Sequence, residues 1–88
     1  MFKIEFSTKA KKEFDRLEER YKKHTVYVLR VLSIDPVPTR YCDVKKLVGL
    51  RDTFRIRIGK IRIVYVIDWK NKVIIIARIA FRKKVYRN

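Results

Sequence analysis

The end of the chain, FRKKVYRN (residues 81–88), places Tyr86 among four positive charges and no negative charge. A tyrosine has an ordinary pKa of about 10, and neighbouring cations lower that pKa by favouring the phenolate. Arg82, Lys83 and Lys84 are such cations, so these residues could provide a base for proton transfer. Basic chain ends are more often solvated arms without chemistry. The rest of the sequence must decide between a reactive group and a charged tail.

A second group of cations lies in FRIRIGKIRIVYVI, residues 54–67, which forms two alternating runs on either side of Gly59 and Lys60. The pattern predicts a two-residue hairpin in which glycine supplies the positive φ. Pairing across this turn puts Arg57 opposite Arg62. The alternation predicts a core face and an opposite face. The core face contains Phe54, Ile56, Ile58, Ile63 and Tyr65, and the opposite face contains Arg55, Arg57 and Arg62.

Three arginines on one side of a hairpin need a reason, because like charges directly opposite each other destabilise strand pairing by up to about 1 kcal/mol. One interpretation is a solvated face that keeps the protein soluble, with Asp52 or Asp68 as partial counter-charges. The other is a phosphate-binding face, since planar guanidinium groups contact phosphate oxygens in pairs. Arginine at all three positions favours phosphate binding.

The N-terminal part must supply elements that support this hairpin. Phe2, Ile4 and Phe6 alternate with charged residues and predict a strand. Ser7 or Thr8 can then cap a helix. The apolar stripe of that helix would consist of Ala10, Phe14, Leu17 and Tyr21.

A second helix is predicted over residues 21–35, although TVYVLRVL (residues 25–32) is rich in residue types typical of strands. Its buried face would consist of Val28, Leu29 and Leu32. The segment DPVP, residues 35–38, ends the helix because proline disfavours helical backbone in the residue before it.

Residues 39–53 are predicted as a connecting segment with a turn at Gly49. A short apolar contact is expected there at Val44, Leu47 and Val48. VIIIARIAF, residues 73–81, is a nearly continuous apolar strand and belongs inside a sheet or against the helices.

The order β-α-α-β-β-β predicts an α+β fold. An N-terminal strand and a helical hairpin would pack on one face of an antiparallel sheet, within a single domain of residues 1–88. Arg78 lies on the side of the arginines or on the opposite side, depending on whether the second hairpin loop has an odd or an even number of residues.

Composition limits the partners. The 88 residues include 24 Lys and Arg against 9 Asp and Glu, a formal charge of +15, and only three of the acidic residues follow position 35. A protein with such a charge is expected to bind an anionic partner: nucleic acid, an acidic protein or an anionic membrane surface.

The lone Cys42 is typical of a protein from a reducing compartment. MFKIEF has no signal-peptide core, and no apolar run approaches the roughly 20 residues that span a bilayer, so a cytoplasmic protein is expected.

Over nearly the whole chain the sequence resembles the RelE toxins of the RelE/ParE superfamily of prokaryotic toxin–antitoxin systems, in the order of its elements and in two stretches. These are KLVGLRDTFRIRIGKIRIVYVID (residues 46–68) and RKKVY (residues 82–86). The bias toward Lys, Arg, Ile and Val, with no Gln, is of the kind expected in proteins from hot habitats.

The resemblance implies a metal-independent endoribonuclease without a cofactor, which cuts messenger RNA in the ribosomal A site and is neutralised by an acidic, RelB-like antitoxin. The 2′-OH of RNA would be the nucleophile, Tyr86 the base or positioning group, and the arginines the cations that stabilise the transition state. The catalytic residues would be Arg55, Arg57, Arg62, Arg82 and Tyr86. The RNA-binding residues would be Lys45, Lys46, Lys60, Arg78, Lys83 and Lys84.

The sequence also departs from the family. Phe81 occupies the position where many relatives carry a histidine, so the acid that assists the leaving group is unassigned. His24, the sole histidine, is expected to be a surface or packing residue. Two other functions stay open: a non-catalytic toxin of the same fold that binds a protein such as DNA gyrase, and a basic RNA-binding module, including a structural ribosome-associated protein.

Overall fold

Residues 1–81, which the computed structural model describes, form two helices on one face of a five-stranded sheet. The elements in chain order are β1 (Lys3–Phe6), α1 (Thr8–Asp15), α2 (Glu19–Ile34), β2 (Asp43–Lys46), β3 (Thr53–Ile58), β4 (Ile61–Asp68) and β5 (Val73–Phe81). The strands lie in the order β1-β5-β4-β3-β2, and every neighbouring pair is antiparallel except β1 with β5. The predicted α+β fold, with the helices on one side of a mostly antiparallel sheet, is confirmed.

The N-terminal strand and its helix cap follow the prediction. Ile4 and Phe6 pack against the core, while Lys3 and Glu5 are exposed. Ser7 is the N-cap of α1, and its Oγ accepts a hydrogen bond from the Ala10 N–H at 3.0 Å. The same hydroxyl donates to the Ala77 carbonyl at 3.0 Å, so the start of α1 is fastened to β5.

The prediction of one helix through Tyr21 is wrong, because α1 ends at Asp15 and α2 begins at Glu19. The N–H groups of Arg16 and Leu17 bond to carbonyls three residues back, which closes the last turn of α1. Leu17 is nonetheless buried, and Tyr21 packs edge-on against Phe81 at 5.2 Å between ring centroids. The short turn keeps the apolar stripe facing the sheet, so its periodicity did not reveal the break.

The second helix is confirmed, and the strand-like composition of residues 25–32 is overridden by burial. The buried face consists of Thr25, Val28, Leu29 and Leu32. The helix ends at Ile34, and its C-cap Asp35, directly before Pro36, has an extended backbone with a φ of −133° and a ψ of 98°. Within residues 1–81, no helix has the length and hydropathy to cross a membrane.

The segment 39–53 contains a strand that the sequence did not reveal. Asp43–Lys46 form β2, an edge strand that pairs antiparallel with β3. Val44 packs against the core, but Val48 is fully exposed, contrary to the expected apolar contact. Gly49 has a φ of +84° and makes the predicted turn. Four residues are too few for alternation to distinguish an edge strand from a loop.

The register of the β3–β4 hairpin is confirmed. Arg57 pairs with Arg62, and Gly59 in the turn has a φ of +53°. The β4–β5 ladder shifts between Val64 and Tyr65, so Ala77 is an additional residue on β5. This bulge, rather than the loop length, puts Arg78 opposite Val64 and therefore on the same side as Arg62.

The hydrophobic core fills the space between the sheet and the helices. Tyr65 has no exposed surface, and its hydroxyl donates to the Pro36 carbonyl at 2.7 Å. This bond ties the connection after α2 to the centre of the sheet. The strand residues buried with Tyr65 are Phe54, Ile56, Ile61, Ile63, Ile67, Ile74, Ile76 and Ile79.

Candidate nucleic-acid interface

The side of the sheet that the helices do not cover carries three arginines, here called the arginine face: Arg55 and Arg57 on β3 and Arg62 on β4. Arg57 and Arg62 are cross-strand partners, and Arg55 lies two residues along β3 from Arg57. Alternation puts all three side chains on the same side, as the sequence predicted. The structure therefore brings together the three cations proposed to bind phosphate.

The arginines differ in depth. The Arg55 side chain is 11% exposed, whereas the Arg57 side chain is 38% exposed. Arg62 is also buried. Buried cations are costly unless an anion or hydrogen-bond acceptors accompany them. An anion is therefore expected at this face.

An anion is present in the form of Asp43 on β2. Asp43 pairs with Arg57 in the strand register, and its Oδ2 lies 2.6 Å from Arg57 Nη2. Its Oδ1 lies 3.4 Å from Arg55 Nη1. Partial desolvation alone would raise the pKa of the Asp43 carboxyl, but the two nearby arginines, Arg55 and Arg57, outweigh it and lower the pKa. Asp43 is therefore ionised at neutral pH.

Sequence reasoning missed Asp43, because it treated residues 39–53 as a connection. It considered Asp52 and Asp68 instead, but Asp52 pairs with Arg51 at 3.8 Å. Asp68 accepts hydrogen bonds from the backbone and side chain of Asn71, which also lower the pKa of its carboxyl. The signal that could have found Asp43 is the short alternation of Asp43, Val44 and Lys45, which puts two charges on one side of a strand.

The other described cations proposed to contact RNA are distributed around the sheet. Lys45 pairs with Arg55 and shares the arginine face, whereas Lys46 pairs with Phe54 and lies on the other side. Lys60 is exposed in the hairpin turn.

Arg78 lies on the side of Arg62 in the register, but its Nε donates to Glu13 Oε2 on α1 at 3.0 Å. The other Glu13 oxygen accepts a hydrogen bond from the Ile79 N–H at 2.8 Å. The carboxylate therefore binds both a backbone N–H of β5 and the Arg78 side chain. Part of the Arg78 guanidinium therefore has a structural role.

Four proposed site residues, Arg82, Lys83, Lys84 and Tyr86, lie outside the described residues. The described chain ends at Phe81, which pairs with Ile61. Ile61 is the residue before Arg62, so β5 ends beside the arginine face.

A cavity of about 420 Å³ opens next to the Asp43–Arg57 pair. Its wall includes His24, which is exposed, as expected for a surface residue. Tyr27 and Tyr41 also line the cavity and are 68% and 74% exposed. The cavity thus places an imidazole and two phenols near the rim of the arginine face. The remaining wall consists of Val28, Cys42, Ile58 and Gly59.

Cys42 lines this cavity, whereas Trp69 lies in the turn between β4 and β5. Cys42 is half-buried, and burial, followed by the nearby Asp35 charge, raises the pKa of its thiol. The thiol is thus protonated at neutral pH. Trp69 packs edge-on against Phe2 with 5.6 Å between ring centroids and remains about half exposed.

Comparisons with known proteins agree with this architecture. The model of the family described as "ParE toxin of type II toxin-antitoxin system, parDE" matches residues 4–86. A protein of Methanocaldococcus jannaschii named "Putative toxin RelE1" is 32% identical over 87 residues, which cover 99% of this chain and 97% of that protein.

Solved structures show the same fold. The archaeal RelE–RelB complex from Pyrococcus horikoshii OT3 matches with a TM-score of 0.82 and 29% identity, over 92% of this chain and 94% of that chain. The intact E. coli RelBE complex matches with a TM-score of 0.80 and 19% identity, over 92% and 96% of the two chains.

Proposed function

The chain belongs to the RelE/ParE family of toxins of type II toxin–antitoxin systems, and from this membership we propose that it is a metal-independent endoribonuclease that cuts messenger RNA on the ribosome. The observation that carries the proposal is the arginine face. It gathers Arg55, Arg57 and Arg62 on one side of two adjacent strands, where they can contact one phosphate. The formal charge of +15 supports attraction to ribosomal RNA.

The proposed reaction uses the RNA's own 2′-OH as the nucleophile. Tyr86 takes its proton or positions it, because Arg82, Lys83 and Lys84 favour the phenolate. The arginines stabilise the charge that develops on the phosphate. Guanidinium groups do not donate a proton readily, so they assist the leaving 5′-oxygen by electrostatics only.

The proposal includes the partner and the location. The Pyrococcus and E. coli relatives are each described in complex with RelB. A RelB-like antitoxin with an acidic segment would suit this chain, since its basic surface attracts an anionic partner. We place the toxin in the cytoplasm as a single domain of residues 1–88.

A cleavage assay on translating ribosomes tests the function. Purified protein is added to ribosomes that carry a defined message, and cuts are mapped by primer extension. Tyr86→Phe and Arg82→Ala are each expected to reduce the cleavage rate at least about tenfold, in line with the loss of a general base or a transition-state cation. Ribosome binding should stay nearly unchanged.

A matched control comes from an exposed residue of the same type as Arg82. Arg51→Ala alters a side chain that is 96% exposed and pairs with Asp52, and this variant should cut like the wild type. Undiminished cutting by Tyr86→Phe and Arg82→Ala would remove the assigned roles. If the wild type cuts no message, the proposed endoribonuclease activity is refuted.

The ParE description of the matching family favours a second candidate, a non-catalytic toxin that binds a protein target such as DNA gyrase. This candidate predicts growth arrest with intact messenger RNA. Inhibition of gyrase supercoiling by the purified protein, without ribosomal cleavage, would establish it over the endoribonuclease.

A further inference from the structure

The Asp43 carboxylate contacts two of the three residues of the arginine face. One oxygen faces Arg57 Nη2 and the other faces Arg55 Nη1, so a single anion bridges two guanidinium groups. Two non-bridging oxygens of a phosphodiester make the same pair of contacts. Among the ion pairs of residues 1–81, Asp43 is the carboxylate that reaches Arg55 or Arg57.

The two contacts are unequal. The Arg57 contact, at 2.6 Å, is a short ion pair. The Arg55 contact, at 3.4 Å, is an ion pair only, and the buried Arg55 Nη1 has no hydrogen-bond acceptor within the described residues. A buried donor without an acceptor costs free energy, and an acceptor placed closer would recover it. The site is thus occupied by an anion that satisfies it incompletely.

The pairing of β3 with β4 explains why an anion next to Arg57 is favourable. Arg57 and Arg62 are directly opposite each other, an arrangement that like charges destabilise. Asp43 lies on the other side of Arg57 in the register and reduces the net charge of this cluster. The carboxylate therefore stabilises the face when no ligand is bound.

We propose that Asp43 is a built-in competitor of the RNA phosphate, which occupies Arg55 and Arg57 in the free protein and limits the affinity of the site for RNA. The proposal rests on the proposed function for the identity of the ligand. The Asp43 and Arg57 side chains are both 38% exposed, so a phosphate can approach the pair from solvent. Binding then exchanges the carboxylate for the phosphate, and the negative charge of Asp43 opposes that exchange. Asp43 therefore raises the concentration of RNA or another polyanion that is needed to occupy Arg55 and Arg57.

The test measures RNA affinity apart from cleavage. Asp43→Asn keeps the side-chain size and removes the charge. The probe is a short single-stranded RNA with 2′-O-methyl groups, which lacks the nucleophile, and binding is measured by fluorescence anisotropy at fixed ionic strength. Asp43→Asn is expected to bind roughly three- to tenfold more tightly than the wild type, the range for one opposing charge at a partly exposed site.

Asp15→Asn is the matched control. Asp15 lies on α1 in an ion pair with Lys11 at 2.7 Å, and its substitution changes the net charge by the same amount away from the sheet. It should alter the affinity less than about twofold. In an Arg57→Gln background the effect of Asp43→Asn should be smaller than in the wild type, because one of the two contested guanidinium groups is gone.

Each outcome decides the proposal. Affinity of Asp43→Asn equal to that of Asp15→Asn, or weaker than wild type with an unchanged circular dichroism spectrum, would overturn it, and the weaker result would mean that the carboxylate positions the arginines for RNA. If neither protein binds the RNA, inorganic phosphate replaces it, and the arginine Nε–H resonances are followed by NMR. Tighter phosphate binding by Asp43→Asn supports the proposal, and equal or absent binding overturns it. Tighter binding by Asp43→Asn without any ribosomal cleavage would support the proposed competition by Asp43 and contradict only the proposed endoribonuclease activity.

Discussion

Substitution of Tyr65 by Phe removes one oxygen atom from the centre of the fold. The ring has no exposed surface and stacks on Phe54 with 5.8 Å between centroids, contacts that phenylalanine retains. The hydroxyl donates to the Pro36 carbonyl at 2.7 Å, across 29 residues of sequence. Only this hydrogen bond is lost, so the substitution isolates the link between the sheet and the connection that leads to β2.

The magnitude follows from the surroundings of the bond. A net hydrogen bond contributes about 1 kcal/mol, and an acceptor left unsatisfied in the interior costs about 1–3 kcal/mol. Pro36 is only half-buried, so water partly replaces the lost donor. We therefore expect the free energy of unfolding to fall by about 1–2 kcal/mol, in the lower part of the range for an unsatisfied interior acceptor. For a domain of this size the melting temperature should fall by roughly 5–15 °C.

The same substitution has a pH signature. Burial, followed by the charges of Asp35 and Cys42, raises the pKa of the Tyr65 phenol well above its ordinary value. A raised folded-state pKa means that the unfolded chain loses this proton first, at a pH of about 10. The stabilising contribution of Tyr65 is therefore complete below about pH 10 and decreases above it, with a slope of up to about 1.4 kcal/mol per pH unit.

Urea unfolding at neutral pH and between about pH 9 and 11 measures both effects. Wild type and Tyr65→Phe share their other tyrosines, so the difference in alkaline slope belongs to Tyr65. Tyr27→Phe, at a side chain that is 68% exposed, should match the wild type throughout. An unchanged unfolding midpoint, or identical alkaline slopes for the wild type and Tyr65→Phe, would refute this reasoning.

Two further substitutions test the supports of the site. Glu13→Ala leaves the Ile79 N–H and the Arg78 Nε without their acceptor and should cost about 1–3 kcal/mol by thermal denaturation; a melting temperature equal to that of the wild type would show that water replaces the carboxylate. Gly59→Ala introduces a Cβ that meets nothing within 4 Å, so only the φ of +53° opposes it. The cost should be about 1–2 kcal/mol in urea unfolding, and a neutral result would mean that the hairpin turn changes its conformation.

Local sequence patterns predicted much of the fold. The register of the β3–β4 hairpin follows from alternation around Gly59, and the confirmed pairing of Arg57 with Arg62 depends on residues only five apart. The end of α2 before Pro36 follows equally from the backbone preferences of a few residues. These features were predictable because each depends on neighbours in the chain.

Three features were not predictable because they depend on distant contacts. The break between α1 and α2 leaves the apolar stripe facing the sheet, so the hydrophobic pattern is the same with or without it. The bulge at Ala77 reverses the alternation of β5 without a glycine to mark it. The short strand β2 has too few residues for a pattern of its own and exists because β3 offers it an edge.

The amino-acid sequence alone determined that three arginines share one side of a hairpin, because a period of two residues and a glycine turn act over a few bonds. Only the tertiary structure decided that Asp43 meets two of them. That contact requires β2 to pair with β3 across a connection of six residues, 47–52, and the free energy of such pairing comes from the sheet and core it joins rather than from the four residues of the strand.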